Sequence, residues 1–264
     1  MNRTSHFVRN TVLLFTAQSI NIVLGFVYVT LIARHLGVVE FGILSFSQAF
    51  TQMFSTLTDL GLNLLVTREI AKNPSGPMKD KYFWNACLIK LAFLTIALTL
   101  IAVSINLTSD SDRTIYVVYI FGLSLVFSTF AGTINSLVQA YEKTVYQSIG
   151  MIIYSISLMA GILIVLLLNL DVLGVALVYL AANFLTFVFL VITCSGRFIR
   201  RKIEFDFPLI RNMVKDGIPL GLNSIFITAY SWVDTVLLSY LRGDSVVGWY
   251  NASYRVMFYF ILKY

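Results

Sequence analysis

Long apolar runs, separated by short polar connections, recur along the whole sequence and restrict what it can become. They cover approximately Asn10–Ala33, Phe41–Ile70, Phe83–Leu107, Ile115–Tyr141, Tyr146–Leu170, Val172–Ile199 and Ile218–Leu241, and a further run begins near Val246. Each reaches the roughly 20 residues that an α-helix needs to cross the hydrocarbon core of a bilayer. A transmembrane barrel would need alternating segments of about ten residues, and the runs do not alternate. The chain is 58% hydrophobic and 12% charged, whereas soluble domains carry charge on about a quarter of their residues. The expected fold class is therefore an all-α polytopic membrane protein.

Basic residues fall in every second connection. Arg3 and Arg9 precede the first run, Arg68, Lys72, Lys79 and Lys81 follow the second, Lys143 follows the fourth, and a dense group from Arg197 to Lys215 follows the sixth. The other connections hold only Arg34, Arg113 and Arg242. An excess of Lys and Arg marks the cytoplasmic side. The expectation is a plasma-membrane protein with a cytoplasmic amino terminus, the loop around Ser75 inside and the loop around Ser109 outside. The net charge of +6 is thus accounted for by topology, and no nucleic-acid partner is expected. The first run is too long for a signal-peptide core and lacks an A-x-A-type site, so it reads as a retained helix. Cys87 and Cys194 lie near cytoplasmic helix ends and read as packing residues.

The loop "LGVVEFG" after the first run and the loop "RGDSVVG" after the seventh match under a shift of 206 residues, with Gly37 falling on Gly243 and Gly42 on Gly248. Six helices fit inside the shift, so both copies would start on the same side of the membrane as a parallel repeat. The expected organisation is a six-helix lobe over 1–206 and, over 207–264, the first two helices of a repeated second lobe, the latter incomplete. The end "VMFYFILKY" lies inside an apolar run, which suggests a fragment or truncated product of a protein nearly twice as long. Between Ser195 and Asp216, a basic and then amphipathic stretch reads as an interfacial linker.

Polar residues inside the spans fall on faces. In the second helix Ser45, Gln48, Gln52, Thr56, Asp59 and Asn63 recur at three or four positions. The first helix has Gln18, Asn21, Gly25 and Tyr28, and the fourth has Ser124, Ser128, Asn135 and Gln139. Such stripes either bond helices together or line a wet cavity; amides with a carboxylate favour the cavity. Asp59, Lys90, Asp234 and Arg255 are ionisable within spans, where each costs roughly 2.5–3.5 kcal/mol at mid-depth without a partner or water. Lys90 is expected to snorkel past Trp84 at least as readily as to act in the interior, and Asp234 is a candidate partner of Arg255. Gly217, Pro219 and Gly221 weaken one place in the seventh helix. They read as a hinge, or, for Pro219, as a harmless first-turn proline.

Two histidines and no clustered ligands give no metal site, no phosphate-binding Gly-rich loop is present, and no catalytic constellation is seen. No cofactor and no enzyme activity are expected. Energy for transport would come from a coupling ion or from the substrate gradient.

"LIARHLGVVEFG", "LTDLGLNLLVTREIAK" and "WVDTVLLSYLRGDSVVGWYNASYRV" resemble the lipid-linked oligosaccharide flippases among the polysaccharide-biosynthesis membrane proteins. These belong to the multidrug/oligosaccharidyl-lipid/polysaccharide exporter superfamily. The resemblance implies two six-helix lobes around a cavity lined chiefly by helices one, two, seven and eight. It also implies transfer of a polyprenyl-diphosphate-linked oligosaccharide to the outer leaflet, with polysaccharide assembly enzymes as possible partners. Arg255 stands at the basic position of the family's Y.a..R pattern, where its guanidinium suits a diphosphate. Gln18, Asn21, Gln48, Gln52, Asp59 and Asp234 are the other candidate substrate contacts. The alternatives are a cation-coupled drug or metabolite antiporter of the same superfamily and an inactive truncated membrane fragment.

Overall fold

A computed structural model describes the backbone of residues 3–73, 76, 78–108, 111–194 and 204–261, and side chains within those ranges from 10 to 254. Ser75 and Ser109 lie outside the described residues, as does the Arg255 side chain. The described residues form eight helices and no strand: α1 Arg3–Asp59, α2 Leu62–Lys72, α3 Met78–Thr108, α4 Asp112–Ala140, α5 Val145–Leu167, α6 Val172–Cys194, α7 Phe207–Arg242 and α8 Asp244–Ile261. Six helices among the described residues are long and apolar enough to cross a membrane, the first being the stretch Asn10–Lys72 of 63 residues. Straight, that stretch would run about 95 Å at 1.5 Å per residue, some three bilayer cores. It is not straight. Gly37 has φ 71 and ψ −176 inside α1, a region essentially restricted to glycine. On either side of it, the His35 ring lies 2.8 Å from the Leu170 carbonyl, and the Glu40 carboxylate accepts from the Val172 N–H at 3.2 Å. Both limbs therefore meet the same α5–α6 connection, and α1 is two crossings folded at Gly37.

Two boundaries differ markedly from the sequence reading. The second crossing does not run unbroken to Ile70; it stops at Asp59, and Leu60 (φ 40) and Gly61 (φ 76) break it before α2. The seventh helix begins at Phe207, eleven positions before the expected Ile218, with the Asp206 carboxylate accepting from the Leu209 N–H at 3.1 Å and proline in the first turn. The amphipathic stretch after Pro208 is thus the start of α7 and not a separate interfacial helix. Pro219 is consequently inside a helix and cannot be a first-turn proline. Its ring nitrogen withdraws one hydrogen bond from the Lys215 carbonyl.

The alternating connections gather at opposite ends. At one end Asn10 donates to the Glu142 carbonyl at 2.6 Å, Lys79 to the Tyr141 hydroxyl at 3.0 Å, and Lys81 lies 3.5 Å from Glu204. Asn85, fully buried, donates to the Glu204 carbonyl and accepts from the Asp206 N–H, each at 3.1 Å. At the other end Arg113 pairs with Glu40 and lies 3.4 Å from Asp171. The apolar core has three centres. Leu62, Val66 and Ile70 of α2 pack with Phe83, Ile134 and Leu190; Ile32, Phe41 and Leu44 pack with Val117, Leu158 and Val175; Phe46 and Phe50 pack with Ile101, Val118, Val236 and Val247. In lipid these contacts stabilise through close packing rather than release of water.

Candidate functional site

The shift of 206 residues has a counterpart in three dimensions. Gly243, between α7 and α8, has φ 80 and ψ 171, close to the conformation of Gly37. A Cβ built on Gly42 would lie 1.9 Å from the Asp244 carbonyl oxygen, and one built on Gly248 would lie 2.1 Å from the Val38 carbonyl oxygen. Val38 and Asp244 are themselves related by the same shift, so the contact is reciprocal, as across a two-fold axis. α1 and α8 therefore meet backbone to backbone at this end. At the far end the break at Leu60–Gly61 packs on α7, where a Cβ on Gly221 would lie 2.5 Å from the Leu60 carbonyl carbon and one on Gly61 2.7 Å from Leu220 Cβ. Glycine is thus required at 61 and 221 for close approach, and a Cβ at Gly217 would sit tightly, 3.0 Å from the Leu60 carbonyl oxygen.

Just beside that break lies a charged cluster. The Asp59 carboxylate accepts from Lys90 Nζ at 2.8 Å and from the Asn63 N–H at 3.1 Å. Lys90 also donates to the Asn63 side-chain oxygen at 2.6 Å, which accepts in addition from the Ser136 hydroxyl at 2.8 Å. Lys90 is 1% exposed and the Asp59 side chain 33%. The snorkelling reading of Lys90 is therefore wrong: two oxygens close at hand serve the ammonium better than a climb to the interface. Sequence reasoning picked out Asp59, but its partner could not be read from spacing, because the pair spans α1 and α3.

The stripe on the second crossing divides in two. Asp59 and Asn63 enter the cluster just described. Gln48 and Gln52 line a cavity of about 230 Å³ with residues of α4, α5, α6 and α7. Asn21 lines a neighbouring cavity of about 250 Å³ with Asn135 and Gln147. Ser128, Tyr154 and Asn183 line both, so the two form one polar interior, walled by the first six crossings and by Trp232 of α7. Gln18 is exposed and lines neither. Asp234 accepts from the Tyr250 hydroxyl and from the Thr235 N–H at 2.7 Å; Tyr250 was not among the sequence candidates. Arg255 belongs to α8 by its backbone.

The family model for "Polysaccharide biosynthesis protein" matches residues 7–260. The "Putative O-antigen transporter" of Escherichia coli strain K12 is 24% identical over 249 residues, covering 93% of this chain and 59% of that protein. The protein of the same name from Shigella dysenteriae is 24% identical over 255 residues, covering 93% and 61%. The chain thus spans about six-tenths of the length of the curated relatives it matches. A solved chain named "protein A" superposes with a TM-score of 0.75 at 16% identity over 97% of this chain and 61% of its own. An outward-facing multidrug resistance MATE family transporter of the MOP superfamily superposes at 0.60, with 14% identity over 96% and 60%. At these identities the superpositions speak to the fold, a bundle of membrane helices shared with exporters. With the family model spanning nearly all of its length, this all-α, multi-pass membrane chain belongs to the polysaccharide biosynthesis protein family.

Proposed function

We propose that the chain forms the greater part of a flippase that moves a polyprenyl-diphosphate-linked oligosaccharide from the cytoplasmic to the outer leaflet. The observation that carries this reading is the row of polar side chains from Gln48 to Asn63, running through membrane depth into cavities and a charged cluster. A lipid-embedded scaffold has no use for such a row, since each unpartnered polar group in hydrocarbon is costly. The names of the relatives, O-antigen transporters, supply the substrate class. Residues 1–206 make the first lobe and 207–264 open the second, a division supported by the reciprocal glycine contacts. Gln18, Asn21, Gln48, Gln52, Asp59 and Asp234 face the translocation route, and Arg255 holds the diphosphate, whose oxygens suit a planar bidentate donor. Gly217, Pro219 and Gly221 form the bending point of α7, where one hydrogen bond is already missing.

Export tests this directly. Residues 1–264, and residues 1–264 joined to the unmatched remainder of the E. coli relative, are expressed in a strain lacking its own flippase. Surface polysaccharide is expected from the joined protein and not from 1–264 alone. In the joined protein Arg255→Ala should abolish export at unchanged membrane level, and Arg255→Lys should retain part of it. Drug resistance without polysaccharide would favour the cation-coupled antiporter and overturn the flippase reading.

Orientation has its own test. With Cys87 and Cys194 replaced, single cysteines at Lys143 and Leu168 are treated on intact cells with an impermeant thiol reagent. Leu168→Cys should label and Lys143→Cys should not; the reverse pattern would place the amino terminus outside.

A further inference from the structure

We propose that the cavity lined by α1, α4, α5, α6 and α7 is a subsite for one uncharged sugar ring, separate from whatever group binds the phosphates. It rests on the flippase reading for its biological purpose, but its chemistry stands on the lining. Gln48, Gln52 and Asn183 supply amides, and Thr51, Ser124 and Ser128 supply hydroxyls. No lining residue carries a formal charge at neutral pH. An ion placed there would surrender its hydration to neutral dipoles alone, which selects against phosphate, carboxylate and ammonium. The remaining wall is aromatic: Phe121, Tyr154, Tyr179 and, from α7, Trp232. Phe121 and Tyr179 lie 5.5 Å apart, centroid to centroid, at 52°.

A pyranose ring asks for this combination. Its rim of hydroxyls both donates and accepts, as amide and hydroxyl side chains do, and its C–H faces pack on aromatic rings. Water alone would satisfy the dipoles but gains nothing from four aromatic walls. The volume of about 230 Å³ is many times the roughly 10–15 Å³ that a single water needs on the same measure, so a sugar ring has room there. Two groups are already waiting for partners. Thr51, 6% exposed, has a buried hydroxyl with no hydrogen bond, and the Asn135 side-chain oxygen in the adjoining cavity is likewise unsatisfied. Buried polar groups are nearly always paired, and a turn of either side chain toward the cavity it lines would let a ligand hydroxyl satisfy it. Asn183 is held for the purpose: its amide donates to Ser124 Oγ at 2.9 Å and to the Tyr179 carbonyl at 3.0 Å. Trp232 closes the cavity from α7, so occupancy would be felt by the helix that carries Pro219.

The purified chain in detergent is dialysed to equilibrium against tritiated D-glucose or D-galactose. Trp232 fluorescence is followed in a Trp84→Phe, Trp249→Phe background. Saturable uptake with a midpoint on the order of 1 mM is expected for at least one hexose, together with a Trp232 response over the same range. Thr51→Val removes a hydroxyl that has no hydrogen-bond partner in the protein, so its fold should be intact, yet its midpoint should rise at least about fivefold. Asn183→Leu should raise it further. D-glucuronate and sodium chloride should neither bind saturably nor compete. Absence of saturable hexose uptake, equal binding of glucuronate, competition by sodium, or an unchanged midpoint in a folded Thr51→Val protein would each overturn the subsite. Export by the joined protein without hexose binding would remove this proposal and leave the flippase reading standing. Hexose binding without export would do the reverse.

Discussion

Asp59→Ala is expected to destabilise the protein by about 3–5 kcal/mol, because it strands a buried ammonium. Lys90 is 1% exposed and would keep only the Asn63 side-chain oxygen at 2.6 Å. The opposite truncation should cost less. Lys90→Met leaves a carboxylate that is 33% exposed and still accepts from the Asn63 N–H, so about 1–3 kcal/mol is expected, in the range for a hydrogen bond to a charged group. Asp59→Asn combined with Lys90→Met removes both charges together and should return stability to within about 1 kcal/mol of the parent, since a buried pair adds little beyond an apolar replacement. Unfolding in mixed micelles, followed by helicity, measures all three. Equal losses in the two single variants would mean that the ammonium reaches water by a route the structure does not contain. A double variant as unstable as Asp59→Ala would assign the stability to Asn63 and Ser136 instead.

The second large effect belongs to the paired glycines. Gly42→Ala places a methyl group 1.9 Å from the Asp244 carbonyl oxygen, and Gly248→Ala places one 2.1 Å from that of Val38. Neither oxygen can rotate away, because both are backbone. Relief requires α1 and α8 to part by more than an ångström, at a cost of about 1–3 kcal/mol for either change, as for an overpacked core. Once the helices have parted for one methyl group, the other fits in the same gap. The double variant should therefore be clearly less destabilised than the two single losses combined. Unfolding in mixed micelles, followed by helicity, measures the two single variants and the double variant. Additive losses would show that the two contacts are independent and that their reciprocity has no energetic meaning.

Apolar run length made most of the fold legible, because a helix in lipid must satisfy its own backbone and therefore shows itself as an unbroken stretch. The connection at Gly37 was legible too, through a spacing repeated at Gly243. The break at Leu60 was not. Leucine has no preference for φ 40, and what holds it there is close approach of Gly217 and Gly221, more than 150 residues away. The start of α7 was misjudged because its first turns are amphipathic, and hydropathy ends a run where polarity rises even if the helix continues. At the candidate site, periodicity found Gln48, Gln52 and Asp59 because they share a face. Tyr154, Tyr179 and Asn183 carry no such signal: an aromatic or amide among apolar neighbours looks the same whether it packs or lines a cavity. Lys90 was read as snorkelling at least as readily as acting in the interior, because its partner Asp59 lies on another helix.

The cluster at Asn63 also has an order in time. Synthesis delivers Asn63 and Asp59 before Lys90, whose nitrogen ends on an oxygen 27 residues earlier in the chain. When α3 leaves the ribosome it must partition into lipid carrying an ammonium group, a step that is unfavourable for the helix alone. The acceptors are already present on the preceding hairpin. α3 therefore has reason to remain beside the insertion machinery until α1 and α2 are docked, and to leave it as part of a group rather than singly. A charge that looks like a burden on one helix thus becomes a schedule for assembling three.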